Sequence, residues 1–131
     1  MSRVLQLAVD LPASPERLFD MYLDPVQHAA FTGAPVMISA EPGSSFRAFG
    51  DVLSGTMLQV VPKRLIVQSW RSPKWQPTDF DSTLVLTFSP WGDGGRIELV
   101  HINVPENDYA GVSEGWQKYY WAPWREYLTR A

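Results

Sequence analysis

The sequence predicts an α+β fold in which one long C-terminal helix covers the concave side of a curved antiparallel sheet. Two observations predict it. From residue 34 to about residue 104 the apolar residues recur with a period of two, which is typical of strands joined by short turns. The stretch 115–128, GWQKYYWAPWREYL, then carries six aromatic residues among fourteen at helical spacing. A helix this apolar needs a sheet to lie on.

Composition indicates one globular domain, residues 1–131. Apolar residues make up 45% and charged residues 19% of the chain, which is enough to form a core. The net charge is −3 and no basic run is present, so nucleic-acid binding is not expected. The chain has no cysteine, and its two histidines have no metal-ligand spacing, so neither a metal site nor a cofactor is predicted. No apolar run is long enough for a membrane span, and the cytoplasm is the predicted location.

The N-terminal elements are a strand and two short helices. The segment 3–9, RVLQLAV, alternates and predicts the strand. Ser14 followed by Pro15 is a helix-start signal, and Asp24 followed by Pro25 repeats it. The second helix is predicted to run to about Phe31. The six strands that follow are VMIS, SFRAF, VLSGTMLQVV with Gly55 as a bend or bulge, RLIVQSWRS, DSTLVLTFS and RIELVHINV.

The last helix is predicted to run from about Val112 to Thr129, with a kink at Pro123, which has no N–H to donate. Four large aromatic residues share one helical face, with Tyr119 at its edge. This face either packs as plain core or leaves an aromatic-lined cavity against the sheet. The four are Trp116, Tyr120, Trp124 and Tyr127.

Two polar side chains lie on strand faces that are otherwise apolar. Gln68 shares its face with Ile66 and Trp70, and His101 follows Ile97 and Leu99. Polar groups on a core face bond each other, bond a tyrosine hydroxyl, or face a ligand. We expect Trp116 to anchor the helix and a gap to open beside Pro123, lined by Tyr120, Trp124, Trp70 and Gln68. The full set of predicted ligand-binding residues is Gln68, Trp70, Leu86, His101, Trp116, Tyr120 and Trp124.

Three stretches together resemble the C-terminal domain of the activator of heat shock protein 90 ATPase and its stand-alone relatives. They are SPERLFDMYLDPVQHAAFTGAPV, GTMLQVVPKRLIVQSWRSPKW and GWQKYYWAPWREYL, and the resemblance covers nearly the whole chain. The resemblance implies the helix-grip fold of the START-like (SRPBCC) superfamily. Members of that superfamily bind lipids, steroids, polyketides and other hydrophobic molecules between sheet and helix. A few catalyse cyclisation or dehydration there.

Three functions follow as hypotheses. The first is binding of a small hydrophobic or aromatic molecule between the sheet and the last helix. The second, implied by the resemblance, is interaction with a heat shock protein 90-type chaperone in a stress response. The eukaryotic co-chaperone uses two domains and this chain has room for one, so weak or absent ATPase stimulation is expected. The third is a small cyclase or lyase using the same cavity. Its acid–base groups would be His101 with Tyr120 or Asp81, although no catalytic residue is predicted.

Overall fold

The computed structural model describes residues 2–130 and confirms the α+β architecture. Seven antiparallel strands form one curved sheet in the order β1-β7-β6-β5-β4-β3-β2, and each strand from β2 to β6 pairs with the next strand along the chain. The first strand, β1, forms one edge of the sheet, and the last strand, β7, pairs with it. The strands are β1 (Ser2–Leu11), β2 (Val36–Met37), β3 (Ser45–Ala48), β4 (Leu53–Val61), β5 (Leu65–Trp70), β6 (Ser82–Trp91) and β7 (Gly94–Pro105).

Two short helices follow β1, as predicted: α1 (Pro15–Leu23) and α2 (Pro25–Thr32). The Ser14 hydroxyl accepts from the Arg17 N–H at 3.1 Å. The Asp24 carboxylate accepts from the Val26 N–H at 2.9 Å. Both helices therefore begin at side-chain caps that satisfy free amide groups. Gly33 ends α2 in the left-handed conformation at φ 78°, where glycine carries no steric cost.

The chain ends in a helix of three consecutive segments, which we call the terminal helix. It begins three residues earlier than predicted and ends at the predicted residue. The Ala122 N–H donates to the Gln117 carbonyl, five residues back, so the middle segment has π-helical rather than α-helical bonding. This segment ends two residues before Pro123, and the kink predicted at Pro123 stays a prediction. The segments are α3 (Tyr109–Gly115), the π-helical segment (Trp116–Trp121) and α4 (Ala122–Thr129), after a 3₁₀ turn at Glu106–Asp108.

The core lies between the concave face of the sheet and the helices. The strand faces predicted to point inward are all buried. Of the four aromatic residues predicted to share the buried helical face, Tyr127 is only partly buried, and Trp121 is buried instead. Tyr119 is half exposed. The buried residues of the predicted faces of β5, β6 and β7 are Ile66, Gln68, Trp70, Leu84, Leu86, Phe88, Ile97, Leu99 and His101, and the buried aromatic residues of the terminal helix are Trp116, Tyr120, Trp121 and Trp124.

Gly55 has a different role from the one predicted. The register shift of β4 lies between Met57 and Gln59, not at Gly55. A Cβ at Gly55 would collide with the carbonyl oxygen of Ser69 on β5. Glycine is needed here because two backbones approach each other too closely for any side chain.

Two glycine-to-alanine substitutions are expected to have opposite effects. Gly55→Ala forces β4 away from β5 and should lower the unfolding free energy by about 1–3 kcal/mol or more. Gly115 has ordinary helical angles, and an added Cβ would meet only Tyr119 at 3.8 Å. Gly115→Ala should raise the unfolding free energy by up to about 1 kcal/mol, because alanine has the higher helix propensity. Urea denaturation measures both. Equal effects of the two variants would contradict this account of Gly55.

Candidate functional site

A cavity of about 340 Å³ lies between the first half of the terminal helix, the end of β5 and the turn that joins β3 to β4. Its size is within the range of small-molecule sites. Aromatic and aliphatic side chains supply most of the wall, and three polar residues lie among them. The lining residues are Phe49, Val52, Leu53, Trp70, Ser72, Lys74, Asp108, Gly111, Val112, Gly115, Trp116, Tyr119 and Tyr120.

Three of the predicted ligand-binding residues line this cavity: Trp70, Trp116 and Tyr120. The other four are buried elsewhere in the core and are not part of the lining. They are Gln68, Leu86, His101 and Trp124.

The gap therefore lies one helical turn or more before the place predicted for it. Trp124 is fully buried and stacks on Phe31, with ring centroids 4.1 Å apart. Trp116 lines the cavity. The prediction that Trp124 forms part of the cavity wall is therefore wrong, whereas Trp116 both contacts the sheet through its bond to His101 and lines the cavity. Trp124, the residue after Pro123, is fully buried, where the sequence had suggested loose packing.

The β3–β4 turn supplies the part of the wall that the sequence analysis missed. Phe49 has φ 53°, an uncommon left-handed value for a residue of this size. Its ring makes edge contacts with the rings of Tyr119 and Tyr120 at 5.8 and 5.7 Å. The following Gly50 is also left-handed, at φ 69°. Phe49 was predicted only as the last residue of the strand SFRAF, and the tertiary position of the β3–β4 hairpin brings it to the cavity.

His28 lies behind the cavity wall and connects α2 to the terminal helix. Its Nδ1 is 2.7 Å from the carbonyl oxygen of Tyr22, and its Nε2 is 3.0 Å from the hydroxyl oxygen of Tyr120. A carbonyl can only accept, so Nδ1 carries the proton and Nε2 accepts from Tyr120. No local pattern predicted that this histidine lies in the core, since it is on a short helix far from Tyr120 in the chain.

Gln68 bonds a tyrosine hydroxyl, one of the arrangements considered from the sequence. The Tyr22 hydroxyl donates to Oε1 of Gln68 at 2.9 Å. The Gln68 amide nitrogen, Nε2, is buried and has no hydrogen-bond partner among the described residues. Gln68 is therefore only half satisfied.

His101 is satisfied at both ring nitrogens. The Ser82 hydroxyl donates to the Trp70 carbonyl at 2.7 Å, so Nε2 of His101, also 2.7 Å away, donates to that hydroxyl. Nδ1 of His101 is then the acceptor for the Trp116 indole N–H at 3.3 Å. This chain of bonds joins β5, β6, β7 and the terminal helix.

The interior polar groups are uncharged near neutral pH. Burial lowers the pKa of His28 to about 4 and that of His101 to about 3. Burial also raises the pKa of Tyr22 and Tyr120 above the ordinary tyrosine value. The acid–base pair considered from the sequence is not assembled. The Tyr120 hydroxyl bonds His28, and Asp81 pairs with Arg71 at 3.1 Å.

Two further properties bear on what the site can hold. Across residues 2–130, no group of three or more histidine or acidic side chains is placed to bind a metal ion. Among the helices in that range, none combines the length and apolar character needed to cross a bilayer.

The chain is similar in sequence to members of one known protein family. The family model described as "Activator of Hsp90 ATPase homolog 1-like protein" matches residues 12–129. The human Activator of 90 kDa heat shock protein ATPase homolog 1 is 30% identical over 82% of this chain and 31% of its own length. The Dictyostelium discoideum homologue is 26% identical over 89% of the chain and 30% of its own length. The chain thus spans about a third of the length of the curated relatives it matches.

Solved structures share the fold at lower identity. Protein MLL2253 from Mesorhizobium loti has a TM-score of 0.83 and 19% identity, covering 98% of this chain and 100% of that one. PFC0360w, described as an HSP90 activator from Plasmodium falciparum, has a TM-score of 0.78 and 21% identity, covering 89% of each chain. With the family model matching almost the whole length, the chain belongs to the Activator of Hsp90 ATPase homolog 1-like family.

Proposed function

We propose that this protein binds a small hydrophobic or aromatic molecule in the cavity between the sheet and the terminal helix. The observation that carries the proposal is the set of side chains that form the cavity wall. Five aromatic rings surround about 340 Å³ of space, and the polar residues Ser72, Lys74 and Asp108 lie among them. A mainly apolar pocket with a few polar groups is the usual form of a small-molecule site.

The energetics support an apolar occupant. Each square ångström of apolar surface removed from water contributes about 25 cal/mol, so a ligand the size of two fused rings can gain several kcal/mol. Val52 and Tyr119 are about half exposed, at 52% and 50%, so the cavity wall reaches the surface there. A molecule can therefore enter from solvent while the sheet and helices keep their positions.

A cavity-filling variant tests the proposal. Gly115 lines the cavity and accepts a side chain without backbone strain. Gly115→Leu should place four further carbon atoms in the cavity and raise the Kd of an anilinonaphthalene dye at least about tenfold, equivalent to about 1.4 kcal/mol. Dye fluorescence titration measures this.

Gly115→Ala is the matched control. It adds only a methyl group, so the dye Kd should stay close to the wild-type value while both variants remain as stable as the wild type or more stable. If the wild type binds no dye, the ligand-binding proposal fails. If Gly115→Leu binds it as tightly as wild type, the dye occupies another surface and the cavity is not the site.

Interaction with a heat shock protein 90-type chaperone is a second candidate. What favours it is the 30% identity to a human protein named as an activator of that chaperone's ATPase. We expect the chain to bind the purified chaperone and to stimulate its ATPase less than the human relative does. The reason is that the matched region is 31% of that relative's length. Calorimetry and a coupled ATPase assay measure the two effects, and an absence of binding would rule this candidate out.

A further inference from the structure

One carboxylate belongs to the cavity wall, and only one of its two oxygen atoms has a partner. Asp108 is half-buried at the end of the 3₁₀ turn that leads into α3. Its Oδ2 accepts from the indole N–H of the buried Trp75 at 2.7 Å. Its Oδ1 caps no backbone N–H of α3, and no donor between residues 2 and 130 bonds to it. The carboxylate is therefore held through one oxygen, while the other is free to accept a hydrogen bond.

A glycine three residues later leaves this free oxygen uncovered. Gly111 lines the same cavity, and a Cβ on it would lie only 2.8 Å from Oδ1 of Asp108. That distance is too short for two non-bonded atoms, so a side chain at position 111 would cover the carboxylate or displace it. Glycine is also a poor helix former, so the open space beside Oδ1 exists at the expense of helix stability. Because Oδ1 lies beside a backbone that forms part of the cavity wall, a molecule in the cavity can approach it.

The other two polar residues of the wall are less suited to orient a ligand. The Ser72 hydroxyl already accepts from the backbone N–H of Lys74 at 3.3 Å. The Lys74 side chain is exposed and long, so binding a ligand through its ammonium group would cost the entropy of ordering that chain. The Asp108 carboxylate is already ordered by its bond to Trp75, and a group that is fixed before binding loses less entropy when a ligand bonds to it.

We propose, on the basis of the binding function above, that Asp108 selects aromatic molecules that carry an N–H or O–H group, which donates to Oδ1. A carboxylate can only accept, so a donor is the group that complements it. A ligand without a donor would remove water from Oδ1 and leave the oxygen unpaired, which costs more than an ordinary hydrogen bond gains. Trp75 already places an indole N–H on the other oxygen of this carboxylate, so indole itself is a suitable probe.

A matched pair of probes isolates the hydrogen bond. Indole and indene are fused rings of the same size, and they differ in that indole has an N–H where indene has a CH₂ group. The indole N–H donates and does not accept. Without an acceptor in the cavity, indole should bind more weakly than indene, because its N–H loses hydration on entry. With Asp108 as the acceptor, indole should bind at least about tenfold more tightly. Titration calorimetry on the whole chain at pH 7 measures both dissociation constants.

Two variants locate the acceptor. Asp108→Asn keeps the shape of the side chain, and the Trp75 N–H should turn the new amide so that its oxygen accepts. The NH₂ group then takes the position of Oδ1 and meets indole as a second donor, so the preference for indole should disappear or reverse.

Lys74→Met is the matched control, since it removes the other charged side chain of the wall, which cannot accept a hydrogen bond. It should change the affinity for both compounds by the same factor and leave their ratio intact. Circular dichroism first confirms that each variant is folded under the titration conditions, and the comparison of indole with indene in the wild type needs no variant.

The outcomes separate this inference from the function on which it rests. If the wild type binds neither the two compounds nor the anilinonaphthalene dye, the proposed binding function is overturned and the inference with it. If the wild type binds the dye or indene but does not prefer indole, the inference alone is overturned. The same holds if Asp108→Asn keeps the preference or Lys74→Met abolishes it. Loss of the preference in Asp108→Asn alone supports the assignment.

Discussion

Lowering the pH from 7 to 5 is expected to reduce the unfolding free energy by about 3–4 kcal/mol, a large share of the stability of a domain this size. The cause is the pair of buried histidines. In the folded protein the pKa of His28 is lowered to about 4 and that of His101 to about 3, from 6.5 for an exposed histidine. Between pH 6.5 and about 4 the unfolded chain binds protons that the folded chain excludes. The stability that the two neutral histidines contribute is therefore fully present above pH 6.5. Below that pH the unfolding free energy falls by about 1.4 kcal/mol per pH unit for each histidine.

Urea denaturation at half-unit pH intervals tests this expectation. The variant His28→Gln removes one titrating group and keeps a side chain that can both donate and accept. Its loss of stability between pH 6.5 and 5 should be about half that of the wild type, whatever its stability at pH 7. The pKa values of Asp10 and Asp24 are lowered from 3.8 by side-chain hydrogen bonds, from Arg96 and Gln27 respectively, so these carboxylates titrate below this window. An unfolding free energy that does not change between pH 7 and 5 would show that water reaches the two histidines in the folded protein.

Trp124→Ala is expected to cost about 3–5 kcal/mol of unfolding free energy, as other large truncations in a core do. Trp124 has no exposed surface, stacks on Phe31 of α2, and lies 6.5 Å from the ring of Trp121. Its removal leaves a void where the terminal helix meets α2. The His28–Tyr120 hydrogen bond also holds the terminal helix against α2, so the void cannot close without moving a helix against that bond. Chemical denaturation of the variant at pH 7 measures the loss.

Trp91→Ala makes the same chemical change on the surface and serves as the control. Trp91 is 52% exposed at the end of β6, and the Arg96 guanidinium lies over its ring at 3.4 Å. Its loss should cost about 1 kcal/mol or less, the usual value for a cation–π contact at an exposed site. If the two truncations cost the same, Trp124 does not hold α2 to the terminal helix in the way the contacts indicate.

The elements of the fold were predictable because their signals are local. Ser14 and Asp24 cap the two short helices through bonds to residues two or three positions away. The alternation in β5, β6 and β7 is a property of each strand alone, and it identified the buried face that carries Gln68 and His101. Such an alternation predicts the buried residues correctly because the sheet buries one face of every strand.

The site was predicted only in part because it depends on contacts between distant segments. Trp70, Trp116 and Tyr120 followed from periodicity, but Phe49 and Asp108 reach the cavity through a turn and a loop. The positions of such segments are set by what they pack on, which no local signal records. The same limit explains why His28 was not recognised as a core residue. Its partner Tyr120 is 92 residues away in sequence.

The π-helical segment has a consequence for how this chain aligns with others. A π-helical turn holds one residue more than an α-helical turn, so Trp116 and Trp121 come to lie one turn apart and stack at 5.4 Å. A homologue with a regular helix would need one residue fewer between the positions of Trp116 and Trp124 to keep both rings where they are. A correct alignment to such a homologue therefore places a single-residue gap within this segment. An ungapped alignment would rotate every residue of α4 by about 100° and pair Trp124 with a position that faces solvent.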